Sequence, residues 1–213
     1  MEITEIYTGP LFVKTWAAPL DEKTVLLVDP GGADPELLDY LDEKKPEKLE
    51  IMLTHGHFDH VGGVPELMIR YPASSLLIHK ADACYLGKTG KETHIACFKP
   101  LRAERYITEM KYDFPEPTGF LNEGDTVNGF TVLHTPGHTE GSVCLWKKDE
   151  NILFSGDTLF FRSYGRIDLI GGDGIKKRAS LKRLLTLPDR TTVYPGHGSN
   201  TTIGAERGWI ERI

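Results

Sequence analysis

Seven residues of this chain have the types and spacing to hold metal ions. Four lie in one run, Thr54-His55-Gly56-His57-Phe58-Asp59-His60, just after an apolar segment. Three histidines and an aspartate in six positions make a poor core and a good chelator. His55 and His57 alternate, so on an extended turn their imidazoles can converge on one ion, whereas Asp59 and His60 follow too closely to join that face and suit a second ion. Taken alone, the run also reads as a solvated polar loop, so further ligands decide the matter. Three downstream segments share one design, an apolar strand, a glycine turn and a ligand-type side chain. They are Thr135-Pro136-Gly137-His138, Ser155-Gly156-Asp157 and Tyr194-Pro195-Gly196-His197. Strand-end loops are where a rigid scaffold presents chemistry, and glycine lets the backbone approach closely.

Five imidazoles (His55, His57, His60, His138, His197) and two carboxylates (Asp59, Asp157) are too many for one ion and suit two. Two divalent ions bring four positive charges, of which two carboxylates and a bridging hydroxide offset three. The remainder is available to polarise a carbonyl and stabilise an oxyanion. Mixed nitrogen and oxygen donors suit zinc first, with iron or manganese as alternatives. A structural zinc site is commonly closed by thiolates, and no cysteine stands in these motifs.

The elements that must carry these residues alternate between strand and helix. Thr24–Val28 reads as a buried strand stopped by Asp29-Pro30-Gly31-Gly32. Pro35 then opens a helix with Leu37, Leu38 and Leu41 on one face, and Leu49–Leu53 is a second buried strand delivering the metal run. Strand–helix–strand with such a connection implies a parallel crossover. A helix through Leu67 and Met68, a strand at Ser75–His79 and a short helix near Ala81–Leu86 follow. Residues 87–120 break the rhythm with mixed charge, three prolines and a weak helix from about Leu101 to Lys111, and read as an irregular insertion over the sheet. Strands at Phe130–Thr135, Ser142–Trp146, Ile152–Ser155 and Thr191–Tyr194 follow, with helices around Leu181–Leu185 and Ile203–Ile210. The alternation predicts α/β layers around one core, a single domain over residues 1–213.

A chain of 213 residues with 39% hydrophobic and 26% charged residues can bury one sizeable core. Its net charge of −6 offers no footprint for nucleic acid or an acidic membrane surface. No apolar stretch approaches a membrane span, and Met1-Glu2-Ile3-Thr4-Glu5 lacks the pattern of a secretory signal, so a cytoplasmic location is expected. Cys84, Cys97 and Cys144 form no C-x-x-C pair, and Cys144 reads as a small core residue. His79 and His134 fall in apolar strands and read as satisfied core histidines. His94 lies in the insertion and is expected to be exposed.

The set His55-x-His57-x-Asp59-His60, His138, Asp157 and His197, preceded by Val28-Asp29-Pro30-Gly31, resembles the metallo-β-lactamase superfamily over about residues 12–204. The resemblance implies an αββα four-layer sandwich, two mixed β-sheets flanked by helices, with a dimetal site. His55, His57 and His138 would hold one ion, Asp59, His60 and His197 the other, and Asp157 would bridge them. Asp29 would orient the ligand loop. Zinc β-lactamases carry cysteine or serine where Asp157 stands, flavodiiron oxidases have glutamate at His57, and the RNA-processing nucleases add domains and basic surfaces. Thr135–Ser142, Ser155–Phe160, Gly165-Arg166 and the Tyr194–Gly198 ending are similar to the glyoxalase-II-like group, whose members hydrolyse thioesters such as S-lactoylglutathione.

That resemblance implies attack of a metal-bridging hydroxide on an acyl-thiol ester, with Asp59 orienting the nucleophile. Arg166 suits either a substrate carboxylate or an ion pair with Asp168, and Tyr164, beside the expected site, suits either packing or an oxyanion contact. Two departures stand beside it. The larger glyoxalase II enzymes have a carboxy-terminal helical domain where this chain has one short helix, and Asp168 stands where they have an aromatic residue. Gly165-Arg166-Ile167-Asp168 is also similar to a segment of the mononuclear iron persulfide dioxygenases. Lactone or phosphodiester hydrolysis on the same dimetal site is a further alternative.

Overall fold

In the computed structural model, which describes all residues from Met1 to Ile213, the chain forms two compact units, Met1–Phe120 and Leu121–Ile213. Each is built on one mixed six-stranded sheet.

The first sheet runs in chain order, β1 (Thr4–Thr8), β2 (Val13–Pro19), β3 (Thr24–Val28), β4 (Lys48–Met52), β5 (Ser75–Ile78) and β6 (Gly119–Phe120). β1, β2 and β3 pair antiparallel, and β3 to β6 pair parallel. β3 is buried along its whole length, which explains its unbroken Thr-Val-Leu-Leu-Val run. The crossover from β3 to β4 is α1 (Pro35–Lys44), with Pro35 in the first turn and Leu37 and Leu41 buried. Lys45 closes it in a left-handed conformation, its N–H reaching the Leu41 carbonyl. After β4 come α2 (Phe58–Val61) and α3 (Val64–Arg70), then β5.

The expected short helix near Ala81–Leu86 is a 3₁₀ turn, Lys80–Tyr85. Residues 87–120 are more ordered than their composition suggests. A twelve-residue helix, α4, spans Gly87–Phe98, and the weak helix expected over Leu101–Lys111 shrinks to α5 (Arg105–Thr108). α4 buries Gly87, Gly90, His94, Cys97 and Phe98, a stripe at helical spacing that is not made of aliphatic residues.

The second sheet has the order β12-β11-β10-β9-β8-β7. Its strands are β7 (Thr126–Val127), β8 (Phe130–His134), β9 (Val143–Lys147), β10 (Ile152–Gly156), β11 (Thr192–Pro195) and β12 (Thr201–Thr202). All pairs are antiparallel except β10 with β11, whose parallel pairing requires the long crossover containing α6 (Gly174–Leu184). Leu181 and Leu184 of α6 join Leu133, Cys144, Leu153 and Val193 in one apolar cluster, completed by Ile203 and Ile210 of α7 (Ile203–Ile210). Cys144 is a fully buried core residue, as expected. No helix is long and apolar enough to cross a membrane.

Candidate functional site

In the first unit, the ligand run leaves the end of β4 in more than one conformation. His57 is extended (φ −65°, ψ 146°) and α2 begins at Phe58, so His55 sits in a bend after β4, His57 on extended chain, and Asp59 and His60 in a helical turn. The His55 ring packs 4.9 Å from that of His57 and 4.1 Å from that of His60. Asp59 Oδ2 stands 3.7 Å from His60 Nε2. The carboxyl of Asp59 is 11% exposed while the His60 side chain is fully buried, which leaves Asp59 the better placed of the two to meet an incoming molecule.

Asp29 organises this run. It follows β3 in a left-handed conformation (φ 54°), which aspartate tolerates better than most residues. Its Oδ1 accepts the Thr54 N–H at 2.7 Å, and its Oδ2 accepts the Thr54 hydroxyl at 2.6 Å and faces His60 Nδ1 at 2.9 Å. A carboxylate can only accept, so His60 Nδ1 carries the proton. The Thr54 hydroxyl has spent its hydrogen on Asp29, so its contact with His55 Nδ1 at 3.1 Å must be donated by the ring. Both imidazoles are thereby held with Nδ1–H bonded to oxygen, the arrangement in which metal-ligating histidines are usually held. Asp29, His55 and His60 also offer donor atoms within 4.8 Å of one another. Because the Asp29 oxygens are already committed, that trio is better read as ligands with their orienting group.

The close approach is made possible by Gly31. A Cβ there would lie 1.9 Å from the Asp59 carbonyl and 2.3 Å from Val13 Cγ1, so no other residue fits between β2 and the ligand turn. Asp82, in the 3₁₀ turn, accepts the Gly56 N–H at 2.9 Å between His55 and His57. Nothing in Lys80-Ala81-Asp82 marks that aspartate as other than a surface residue, and sequence reasoning missed it.

In the second unit the candidate ligands follow three strand ends. His138 Nδ1 donates to the Arg166 carbonyl at 2.6 Å, which fixes the same tautomer as in the first unit, and its Nε2 stands 3.4 Å from Asp157 Oδ2. The Asp157 turn is held by Gly165 N–H on the Asp157 carbonyl (3.0 Å) and by the ammonium of Lys177. His197 is half-buried with its ring edge against Phe160 (6.2 Å), and the Gly196 N–H ties its turn to the Gly156 carbonyl (3.0 Å). Burial pulls the Lys177 amine down to about 8, against the attraction of Asp157 and Cys144.

The remaining sequence candidates fall as follows. The Arg166 guanidinium is gripped by Asp168 through Nε (2.7 Å) and Nη2 (2.8 Å), and it is the main-chain carbonyl of this residue that touches a ligand. Tyr164 is 40% exposed and stacks on Trp209 (6.1 Å, 21°). His79 caps the 3₁₀ turn by accepting the Ala81 N–H, and His134 Nε2 contacts the Glu140 carbonyl at 2.9 Å, so both are satisfied, but each is half-buried rather than in the core, and His79 lies just past β5. His94 is not exposed. It is fully buried among Tyr85, Phe98 and Phe114, and burial lowers its pKa to about 4 against the opposing effects of a Tyr85 main-chain hydrogen bond and Asp59.

Two mixed sheets with flanking helices, and histidines held Nδ1–H at strand ends, define a class of metal-binding α/β hydrolases. The family model of the metallo-β-lactamase superfamily matches residues 9–197, and the chain belongs to that superfamily. Among curated relatives, it is 31% identical over 192 residues to the Haemophilus influenzae hydroxyacylglutathione hydrolase GloC, covering 88% of this chain and 86% of GloC. Among solved structures, it matches the BLEG-1 B3 metallo-β-lactamase with a TM-score of 0.82 at 35% identity, over 97% of both chains. It matches TTHA1623 in a di-iron-bound form with a TM-score of 0.78 at 36% identity, over 96% of both chains. The metallo-β-lactamase fold expected from the ligand pattern is therefore established.

Proposed function

We propose that this protein is a metal-dependent thioesterase of the glyoxalase-II-like kind, acting on a small acyl-thiol substrate. The observation that carries the metal-dependent part is the tautomer control. His55, His60 and His138 each have Nδ1 bonded to an oxygen, the arrangement in which a metal-binding imidazole uses its Nε2. The donor set of nitrogen and carboxylate oxygen fits zinc, iron or manganese, and contains no thiolate. The family ligand order then gives His55, His57 and His138 to one ion, Asp59, His60 and His197 to the other, and Asp157 to both. The family model runs through both compact units, which supports reading them as one catalytic domain over residues 1–213, with residues 87–120 as its variable part. The thioester part is supported by the likeness to GloC.

Bound metal supplies Lewis acidity toward the carbonyl and acidifies water, which removes the need for a serine or cysteine nucleophile. The chain's own groups do the rest. Asp59, the least buried ligand of its run, orients the attacking water and accepts its proton. Asp29 and the Arg166 carbonyl hold the imidazoles in register through the reaction. Tyr164 and Arg166 stand next to Gly165, the residue bonded to the Asp157 carbonyl, and are proposed to contact substrate.

A second reading is a mononuclear iron oxygenase acting on persulfides. It draws on Gly165-Arg166-Ile167-Asp168 and on the likeness to ETHE1 from Myxococcus xanthus (TM-score 0.70 at 26% identity, over 97% of this chain and 82% of that one). The test is to quantify metals in the purified protein and assay it with thioester, β-lactam, lactone, phosphodiester and persulfide panels while recording oxygen. Thioester hydrolysis that is lost on chelation and proceeds without oxygen uptake is the expected result. Oxygen consumption with a persulfide overturns the thioesterase, and fewer than two metal equivalents with full activity in His60→Ala overturns the dinuclear form.

A further inference from the structure

Lys176-Lys177-Arg178 reads as a solvated charge run on α6, and Lys176 and Arg178 are exposed. Lys177 is not. It is buried, and its Nζ donates to two consecutive main-chain carbonyls, Asp157 at 2.7 Å and Thr158 at 3.3 Å. An ammonium taken out of water costs several kcal/mol unless its protons are satisfied, and a leucine at this position would fill the interior without that cost. The cation is committed to the turn that carries a ligand.

The main chain of Lys177 meets a second ligand turn. A Cβ on Gly137 would fall 2.3 Å from Lys177 N and 2.5 Å from Lys177 Cα, so the turn before His138 rests directly on the α6 backbone. Gly137 holds φ +127°, which side-chain-bearing residues rarely adopt. The contact is pinned on both sides, by Asp173 N–H on the Gly137 carbonyl (3.0 Å) and Ser180 Oγ on the Pro136 carbonyl (2.7 Å). One residue therefore touches the His138 turn with its backbone and the Asp157 turn with its side chain. It spans the pair whose donor atoms stand 3.4 Å apart.

We propose that Lys177 is a positioning residue for the metal ligands of the second unit, setting the separation of His138 and Asp157 by gripping one turn and buttressing the other. The inference rests on the reading of those two residues as metal ligands.

The test is metal affinity, measured by competition of zinc between the protein and a chromophoric chelator, with the visible spectrum of the cobalt-substituted protein as a second readout. Lys177→Met keeps the stem and removes the donors. Support is a loss of affinity of roughly ten- to hundredfold, the scale seen when an orienting partner of a ligand is removed, with a shifted cobalt spectrum and native circular dichroism. Wild-type affinity and spectrum in Lys177→Met overturn the proposal. If that variant does not fold, Lys177→Gln, too short to serve both carbonyls, takes its place, and wild-type affinity there overturns it equally. A wild-type protein that binds no zinc, or binds it as well after Asp157→Ala, fails the metal reading itself, whereas loss in Asp157→Ala with none at Lys177 fails this inference alone.

Discussion

The two units solve one problem, holding imidazoles and a carboxylate still, by different means. In the first unit the ligands are neighbours in sequence, and a side chain holds them. Asp29 reaches from the end of β3 to Thr54 and His60, and Thr54 passes the constraint to His55. In the second unit the ligands are far apart in sequence, and the main chain holds them. The Arg166 carbonyl fixes His138, the Gly165 and Gly196 amides fix the turns of Asp157 and His197, and the side chains of Lys177 and Ser180 act on main-chain carbonyls of these turns. A contiguous run can be governed by one buried carboxylate. Dispersed ligands need each turn to be shaped by its own backbone, which is why glycine precedes His138, Asp157 and His197. The first arrangement is open to single substitutions, and the second largely resists them.

The largest effect is therefore expected at Asp29. Asp29→Ala leaves the Thr54 N–H, the Thr54 hydroxyl and His60 Nδ1–H buried without their acceptor, at a cost of about 3–5 kcal/mol for the set. A urea titration of the metal-free protein should show that loss, and metal analysis should show the bound metal depleted. Stability within about 1 kcal/mol of wild type would mean that the carboxylate is not the hub of this unit.

His94 tests whether the cover of the first unit is as rigid as its ligand run. Its neutral ring is buried, and its pKa is lowered from 6.5 to about 4. A base depressed in the folded state contributes stability that is fully present above the unfolded value and disappears as pH falls toward the folded one. Between pH 6.5 and 4 the protein should lose roughly 3 kcal/mol through this residue. His94→Leu, which suits the cage of Tyr85, Phe98 and Phe114, should remove that share of the pH dependence. Parallel urea midpoints for the two proteins from pH 7 to 4 would contradict it.

The same contrast explains what was legible in the sequence. The seven candidate ligands stood out because histidine and aspartate after apolar strands have few other uses, and β3, α1 and β4 because aliphatic periodicity reports burial directly. α4 was missed because its inward face is Gly87, Gly90, His94, Cys97 and Phe98, with the one large apolar residue only at its end, although a glycine is needed at position 90, where a Cβ would lie 2.7 Å from the Tyr85 carbonyl. Asp82 and Lys177 were missed because a charged residue in a polar stretch looks solvated, and only tertiary packing buries it. The strands β6, β7 and β12 are two residues long, too short for alternation to register.

The smallest effect separates the side chain of Arg166 from its carbonyl. Arg166→Ala keeps the oxygen that receives the His138 proton and removes the guanidinium, so metal content should match the wild type. The pair with Asp168 is exposed, and water solvates both partners when it is broken, so the urea midpoint should not move measurably. The guanidinium holds the Asp168 carboxyl down at about 2, so the folded pair stays ionised from mildly acidic pH upward, and any slope it adds is confined to below about pH 5, at the acid end of the window in which His94 titrates. Metal loss in Arg166→Ala would show that the second unit, too, depends on a side chain at this position, and the distinction between side-chain and main-chain control would fail there first.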